Sequence, residues 1–211
     1  MAFIVFEGLD GSGKSTLING LKSELVKQGI ASLVTREPGG TPLGDEVREL
    51  LLRVQGDAPT PKAELLLYEA VRAQHVEKTI RPALESGRWV LCDRYDASSL
   101  AFQGGGRNIL DAEIQALNQF ATSGLKPDLY VLLDLSVEES LRRMKKREVA
   151  TGQTQDRFEQ EKQDFHERVR QAYLKIAQSD NSRWLVLSAD QSPEDLLKVL
   201  LTEMRVRKWL K

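Results

Sequence analysis

The stretch Phe3-Ile4-Val5-Phe6-Glu7-Gly8-Leu9-Asp10-Gly11-Ser12-Gly13-Lys14-Ser15-Thr16 decides the fold, because a short apolar run leads directly into the pattern G-x-x-x-x-G-K-[ST]. Glycines let the backbone turn tightly and aim successive N–H groups inward, while the Lys14 ammonium can bind phosphate and the Ser15 hydroxyl can hold Mg²⁺. The helix predicted to begin at Ser15 adds the positive end of its dipole. The stretch therefore predicts a phosphate-binding loop between a strand and a helix; the alternative is a glycine-rich turn without a ligand.

Short apolar runs alternate with longer stretches of helical period along the rest of the chain. Most of these runs are continuous rather than alternating, which is typical of strands covered on both faces. Strands that alternate with helices imply right-handed crossovers and a mainly parallel sheet of about five strands in an α/β fold. The predicted strands are residues 3–6, 31–34, 89–92, 129–133 and 184–187, and the predicted helices are 15–28, 43–54, 61–86, 111–122, 137–147, 159–178 and 193–209.

Local signals mark several of the predicted helix ends. Ser136 and Glu139 form the pattern of a capping box, in which each side chain satisfies a free backbone donor of the other. Thr60-Pro61 and Ser192-Pro193 each place a cap residue before a proline at the first helical position. Pro82 predicts a kink in the long third helix. The polar segment 148–155 is predicted to be a mobile surface loop.

Composition and charge exclude several classes of protein. The 211 residues include 30 Lys+Arg and 31 Asp+Glu, so the formal net charge of −1 argues against a dedicated nucleic-acid binder. Cys92 is the single cysteine, which excludes an intramolecular disulfide and a cysteine zinc cluster. No run approaches the length of about 18 apolar residues that a membrane span needs, and the N-terminus lacks the pattern of a secretion signal. We therefore expect a cytoplasmic protein without nucleic-acid or membrane partners.

A second set of charged groups follows the third predicted strand, at Asp93-Arg94. In parallel sheets, ligands bind beyond the carboxyl ends of the strands, so Asp93 should lie near Ser15 and could hold Mg²⁺ directly or through water. Arg94 could neutralise a phosphoryl group during its transfer. The alternative is a surface salt bridge at the end of a strand.

Three further features suit a phosphorylated acceptor. Arg36 follows the second predicted strand and can reach phosphate, although its segment could also be a plain turn. Tyr68 and Arg72 are four residues apart on one predicted helix, so that a ring and a guanidinium share a face and could hold a base; an exposed cation–π pair is the alternative. Residues 98–107 supply small polar side chains and a flexible backbone that could contact the acceptor. The alternative is that this segment is a mobile linker.

Basic residues crowd the segment 142–147, and Asp156-Arg157-Phe158-Glu159 follows the polar loop. We interpret residues 142–158 as a lid whose arginines close over a triphosphate and exclude water. A solvated helix end whose cations complement the dipole is the main alternative, and a nucleic-acid patch is less compatible with the net charge.

Together these motifs resemble the thymidylate kinase family along nearly the whole chain. The resemblance is carried by residues 6–16, by Arg36-Glu37-Pro38-Gly39-Gly40-Thr41, by Asp93-Arg94-Tyr95, by Ala101-Phe102-Gln103-Gly104 and by Asp156-Arg157-Phe158-Glu159. It implies transfer of a phosphoryl group from ATP to dTMP, giving dTDP and ADP for dTTP synthesis, with Mg²⁺. It also implies a P-loop kinase fold over residues 1–211, with a five-stranded parallel sheet flanked by helices on both faces, a lid, and a homodimer.

The resemblance also implies roles for individual residues. Those implied in catalysis are Lys14, Arg94, Arg147 and Arg157, and those implied in holding the metal are Ser15 and Asp93. ATP binding is implied for Gly8, Leu9, Asp10, Gly11, Ser12, Gly13, Lys14, Ser15, Thr16 and Arg143. Binding of dTMP is implied for Asp10, Arg36, Glu37, Tyr68, Arg72, Arg94, Tyr95, Ser98, Ser99 and Gln103. In this assignment Tyr95 lies near the sugar.

The chain is similar to the bacterial members of the family that carry the catalytic cation in the lid, since Gly11 occupies the position where other members have a basic residue in the phosphate loop. Arg147 is the first candidate for that cation, followed by Arg143 and Arg157. Tyr68 stands where the family usually has a phenylalanine stacked on thymine. The rival interpretations are another nucleoside or nucleotide kinase and a nucleotide-dependent switch, although the N-K-x-D motif of GTP switches is absent.

Overall fold

The computed structural model describes residues 1–152 and 154–210. Within them, five parallel strands form one sheet in the order β2-β3-β1-β4-β5, which confirms the predicted α/β fold. The strands are β1 (Phe3–Glu7), β2 (Ser32–Arg36), β3 (Trp89–Asp93), β4 (Leu129–Asp134) and β5 (Trp184–Ser188).

Helices cover both faces of this sheet, and β1 shows why its sequence is continuously apolar. Phe3 and Val5 belong to one apolar core, whereas Ile4 and Phe6 belong to the core on the opposite face. Among the described residues, no helix combines the length and apolar character that a membrane crossing requires. The helices are α1 (Lys14–Lys27), α2 (Pro42–Leu52), α3 (Pro61–His75), α4 (Arg81–Glu85), α5 (Asp96–Ser99), α6 (Asp111–Thr122), α7 (Val137–Thr151), α8 (Gln163–Ser179) and α9 (Pro193–Val206).

The predicted third helix is continuous but changes its winding. A π-helical turn, Val76–Ile80, joins α3 to α4 immediately before Pro82. Because proline has no N–H to donate within a helix, a local change of the hydrogen-bond pattern at this point accommodates it. Ser136 caps α7 as predicted by accepting from the backbone N–H of Glu139. The reciprocal half of the capping box is wrong, since the Glu139 carboxylate pairs instead with Arg142 and Arg143.

The region around the lid differs most from its predicted boundaries. Helix α7 continues to Thr151, so the predicted loop 148–155 is helical in its first half, and Gln153 of that loop lies outside the described residues. Helix α8 begins at Gln163 rather than at Glu159. The reason is Asp156, whose Oδ1 accepts from the backbone N–H groups of Phe158 and Glu159 and thereby forms a tight turn.

Residues 98–106 are helical, whereas the sequence predicts a flexible backbone from their glycines. Helix α5 runs into a second π-helical segment, Leu100–Gly106, which packs against α8. A Cβ placed on Gly105 would lie 2.7 Å from Cβ of Ala172, and one on Gly106 would lie 2.4 Å from Cε2 of Phe165. These glycines therefore allow two helices to approach closely, which is a packing role.

Candidate active site

The predicted phosphate loop joins β1 to α1 at the carboxyl edge of the sheet. Gly8, Gly11 and Gly13 all have positive φ, and a Cβ on Gly8 would lie 2.5 Å from the backbone oxygen of Leu133. The Lys14 side chain is buried, and its Nζ donates to the carbonyl oxygens of Gly8 and Leu9 at 3.1 and 3.0 Å. The loop thus curls around the ammonium group of Lys14 as the motif predicts.

Asp93 lies at the end of β3, beside Phe6 of β1 and Arg36 of β2. Its Oδ1 is buried and has no hydrogen-bond partner among the described residues. Ser15 lines the same cavity as Asp93, together with Lys14. A buried carboxylate oxygen without a hydrogen-bond donor and a hydroxyl on the same cavity are ligands that suit a divalent cation.

Arg94 bridges two parts of the site. Its Nη2 donates to Oδ1 of Asp10 at 2.8 Å, and its Nη1 donates to the Tyr173 hydroxyl at 3.1 Å. Its backbone has φ of 71°, which is uncommon for a residue with a Cβ. Burial by itself would raise the pKa of Asp10, but the charges of Arg94 and Lys14 outweigh burial and lower it well below the usual range. Asp10 is therefore ionised at neutral pH.

Glu7 is a residue of this site for which the sequence predicts no role. Its fully buried carboxylate accepts from the backbone N–H of Tyr95 at 3.0 Å and from the hydroxyls of Ser98 and Tyr173, both at 2.7 Å. Burial raises the pKa of Glu7 to about 7, against the lowering effect of Arg94 and these donors. The only hint of this role in the sequence is that Glu7 stands one residue before the phosphate-loop motif.

A second cavity, here called the acceptor cavity, opens beside Arg94. Its walls come from the segment after β2, from α2 and α3, from the π-helical segment 100–106 with the end of α5, and from the lid turn. It is lined by Asp10, Glu37, Pro38, Arg48, Leu52, Tyr68, Arg72, Arg94, Ser98, Ser99, Phe102, Gln103, Asp156 and Phe158. It thus brings together most of the residues for which dTMP binding was predicted.

Arg72 is fully buried in one wall of the acceptor cavity and is held from several sides. Its Nε donates to Oε2 of Glu37 at 2.8 Å, and its Nη2 donates to the carbonyl of Tyr95 at 2.9 Å. Its Nη1 lies within hydrogen-bond distance of Glu69 and Ser99. Arg72 and Tyr68 therefore share a face as predicted, but Arg72 is a rigid ionic centre and not an exposed cation–π partner.

His75, for which the sequence predicts no role, supports this wall through Glu37. Its Nδ1 lies 3.0 Å from Oε1 of Glu37 and its Nε2 lies 2.7 Å from the Thr35 hydroxyl. A Cβ on Gly40 would lie 2.5 Å from the His75 ring, which explains why glycine is required there. His75 thus orients Glu37, which in turn holds Arg72.

Two residues with a predicted role in dTMP binding are absent from the lining of the acceptor cavity, and one residue without a predicted role is part of it. Tyr95 does not line the acceptor cavity: its ring is fully buried against Phe3, and its hydroxyl donates to the carbonyl of Leu125. Arg36 lines the phosphate-loop cavity but is 58% exposed beside Asp45. Arg48 of α2, which was not predicted, lines both cavities and donates to the carbonyl of Pro38.

The three lid arginines with predicted roles differ from one another in what they contact. Arg147 lines the phosphate-loop cavity and pairs with the buried carboxylate of Glu159. Arg143 packs on the loop and donates to the carbonyl of Gly11 at 3.4 Å. Arg157, in contrast, is turned away from the phosphate loop, because its Nη1 pairs with Oε2 of Glu64 at 2.8 Å and its Nε donates to the carbonyl of Leu51. These contacts anchor Arg157 on α2 and α3, and its catalytic role stays a prediction.

The fold and the site together define the class of P-loop nucleotide kinases. The defining features are the phosphate loop on a five-stranded parallel sheet, the buried lysine, the aspartate at the end of a strand and the second cavity for an acceptor. The family model described as thymidylate kinase matches residues 6–199. The chain belongs to the thymidylate kinase family. These findings confirm the predicted family and the predicted enzyme class.

Three similar proteins from different bacteria are each described as thymidylate kinase. One from Bdellovibrio bacteriovorus is 60% identical over 210 residues, covering 100% of this chain and 98% of the relative. One from Synechococcus sp. is 50% identical, with 90% of each chain covered. One from Geotalea daltonii is 46% identical, covering 92% of this chain and 91% of the relative.

Proposed function

We propose that this protein transfers the γ-phosphoryl group of ATP to the phosphate of dTMP, with ATP on the phosphate loop and dTMP in the acceptor cavity. The observation that carries this proposal is that the two cavities meet: Asp10, Glu37, Arg48 and Arg94 line both of them. A phosphoryl group passing from one ligand to the other would cross at these side chains.

Positive charge supports transfer at this crossing. Lys14 from the loop, Arg94 from the end of β3 and Arg147 from α7 approach the same cavity from three elements. Phosphoryl transfer depends on in-line positioning and on stabilising the charge of the equatorial oxygens. We assign Lys14 and Arg147 to the donor phosphates, and Arg94, with Arg36 and Arg48, to the acceptor phosphate.

The acceptor needs little help from a general base. A phosphate monoester has a second pKa of about 6 and is largely ionised near neutral pH. Asp10, held ionised by Arg94 and Lys14, is suited to accept a hydrogen bond from a sugar hydroxyl rather than to remove a proton. The absence of a histidine from the described lining of the acceptor cavity is compatible with this chemistry.

A magnesium ion fits the residues at the loop. Oδ1 of Asp93 is buried without a partner among the described residues, and Ser15 lies on the same cavity. Mg²⁺ typically takes one or two protein oxygens and completes its shell with phosphate and water. Ser15 and Asp93 would hold the ion, which would neutralise charge on the donor phosphates.

The acceptor cavity suits a planar base between aromatic and polar walls. Tyr68 and Phe102 supply rings, Arg72 supplies hydrogen-bond donors, and Gln103 supplies an amide. Burial raises the pKa of the Tyr68 hydroxyl, so Tyr68 is neutral at physiological pH. We assign Ser98 and Ser99, at the end of α5, to the side of the cavity that faces the base and the sugar.

A coupled assay of ADP formation tests this proposal directly. We expect ATP with dTMP to give the highest kcat/KM in a panel that also contains dUMP, dCMP, AMP and thymidine. The variant Lys14→Ala should lower kcat by orders of magnitude while the circular dichroism spectrum is preserved. A preference for thymidine over dTMP, or ATP hydrolysis stimulated by a protein and never by a nucleoside monophosphate, would contradict the proposal.

We include in the proposal a cytoplasmic homodimer of single kinase domains, which the family resemblance implies. Exposed apolar side chains on α2, α3 and α6 support it, since α3 packs against both of the other helices. They include Leu50, Leu66 and Phe120, the last of which is 83% exposed. Sedimentation velocity should show a dimer, and Phe120→Arg should shift it towards the monomer; a wild-type monomer at micromolar concentration would contradict this part.

A further inference from the structure

Glu64 of α3 is a fully buried carboxylate that contacts Gln103, one of the residues lining the acceptor cavity. Only 1% of the side chain is exposed. It accepts hydrogen bonds from Nε2 of Gln103 at 2.8 Å and from Nε of Arg107 at 3.3 Å, and its Oε2 forms an ion pair with Nη1 of Arg157 at 2.8 Å. The guanidinium groups of Arg107 and Arg157, both paired with Glu64, offset the cost of burying this charge.

This arrangement determines which way the Gln103 amide points. An ionised carboxylate only accepts hydrogen bonds, so Nε2 of Gln103 must face Glu64. If the Gln103 amide were rotated by 180°, its oxygen would be repelled by a carboxylate oxygen of Glu64. The amide oxygen Oε1 of Gln103 then points away from Glu64. Because Gln103 is 2% exposed and lines the acceptor cavity, its amide oxygen is the acceptor that it can offer a ligand there.

Bases differ in what they present to such an acceptor. Thymine carries an N–H at N3 beside the O4 acceptor, whereas cytosine carries a lone pair at N3 beside the N4 amino donor. An acceptor on Gln103 and a donor on Arg72, both in the acceptor cavity, match the first pattern. Cytosine would place its lone pair against the Gln103 oxygen, and a buried polar mismatch of this kind is costly.

We propose that Glu64 is a positioning residue that holds the Gln103 amide with its oxygen towards the acceptor cavity, and thereby selects dTMP against dCMP. The inference rests on the proposed function. Glu64 acts without touching the substrate. Glu64 also connects the Gln103 amide to the lid turn, because Arg157 of that turn pairs with the Glu64 carboxylate. Asp156 and Phe158, the neighbours of Arg157, line the acceptor cavity.

The variant Glu64→Gln tests this role, because a neutral amide can donate as well as accept and no longer dictates the direction of Gln103. We expect the ratio of kcat/KM for dTMP to kcat/KM for dCMP to fall by roughly 10-fold or more. The change should arise mainly from the KM of the two nucleotides, while the KM for ATP stays within about twofold.

Glu161→Gln is the matched control. Glu161 also pairs with Arg107, whose Nη1 donates to it at 2.6 Å, but it is not among the hydrogen-bond partners that the structure gives Gln103. The control removes one carboxylate charge from the same cluster, so the dTMP-to-dCMP ratio should remain that of the wild type. A purely structural role of Glu64 would lower the melting temperature of Glu64→Gln with the ratio unchanged, and that result overturns the inference.

A second variant keeps the inference testable if Glu64→Gln does not fold. Gln103→Leu removes the amide while Glu64 retains both arginines, and it should also lower the ratio by about 10-fold or more. An unchanged ratio in Gln103→Leu overturns the inference by itself. Failure of the wild type to phosphorylate dTMP would overturn the proposed function first, whereas normal dTMP activity with unchanged ratios in the variants overturns only the role of Glu64.

Discussion

The Tyr173 hydroxyl lies 3.1 Å from Nη1 of Arg94 and accepts its hydrogen bond. The same hydroxyl donates to Oε2 of Glu7 at 2.7 Å. Tyr173 is on α8, far along the chain from both partners, and its ring packs edge-on against Phe102. The Tyr173 oxygen thus links the buried carboxylate of Glu7 to the guanidinium of Arg94, which we assign to the acceptor phosphate.

Tyr173→Phe should reduce activity without disturbing the fold, because it removes this oxygen and keeps the ring. Loss of a hydrogen bond to a charged group is worth about 1.5–3 kcal/mol. We expect kcat/KM for dTMP to fall by roughly 10- to 100-fold, measured in the coupled assay. Tyr130→Phe is the control, since it removes a hydroxyl that donates to Asp96 at 2.6 Å, away from Arg94. Equal activities of the two variants would argue against a role for Tyr173 in placing Arg94.

Glu7 predicts a pH dependence of stability. Its pKa rises from 4.5 to about 7 in the folded protein because the side chain is buried. The folded state therefore holds a proton that the unfolded chain releases above pH 4.5. The resulting contribution to stability is fully present below pH 4.5 and is lost as the pH rises through 7.

Urea unfolding of the wild type and Glu7→Gln at pH 5 and pH 8 measures this contribution. We expect the wild type to lose stability relative to the variant on going to pH 8, by an amount on the order of 3 kcal/mol at most. Subtracting the variant removes the contribution of other titrating groups. A difference in unfolding free energy that is the same at both pH values would show that Glu7 does not titrate in this range.

The two lid arginines should behave differently when each is replaced by alanine. Arg147 lines the phosphate-loop cavity, so Arg147→Ala should lower kcat by about 100-fold, as expected when a charged group that stabilises the transferring phosphoryl is lost. Arg157 is anchored on Glu64, so Arg157→Ala should lower the melting temperature and affect kcat by less than about 10-fold. The exposed Arg142, paired with Glu139, provides a control in Arg142→Ala. A larger loss of kcat in Arg157→Ala than in Arg147→Ala would reverse these roles.

The contact between the π-helical segment 100–106 and α8 predicts a cost for enlarging its glycines. Gly106→Ala would place a Cβ 2.4 Å from the ring of Phe165, and overpacking of this kind costs about 1–3 kcal/mol. Gly20→Ala on α1 is the control, because its new Cβ would meet only the movable end of Leu197 at 3.2 Å and alanine favours helix. Thermal unfolding should show a lower melting temperature for Gly106→Ala only.

Much of the fold could be predicted because its signals are local. The phosphate loop depends on glycines and Lys14 at fixed spacing, and β1 is continuously apolar because it is buried on both faces. Thr60, Ser136 and Ser192 cap their helices through neighbours three residues away. The predicted helix ends near the lid were wrong because Asp156 forms a turn that periodicity does not reveal.

The sequence by itself therefore determined the parallel α/β sheet, the phosphate loop, the family and most of the residues that line the two cavities, since each depends on short-range patterns. Only the tertiary structure decided where long side chains point. Arg157 turns to Glu64, Tyr95 turns into the core, and Glu7 reaches Tyr173 across 166 positions of the chain. A buried charge or hydroxyl needs a partner that compensates for its loss of hydration. Such partners come together only when the sheet and the helices are assembled.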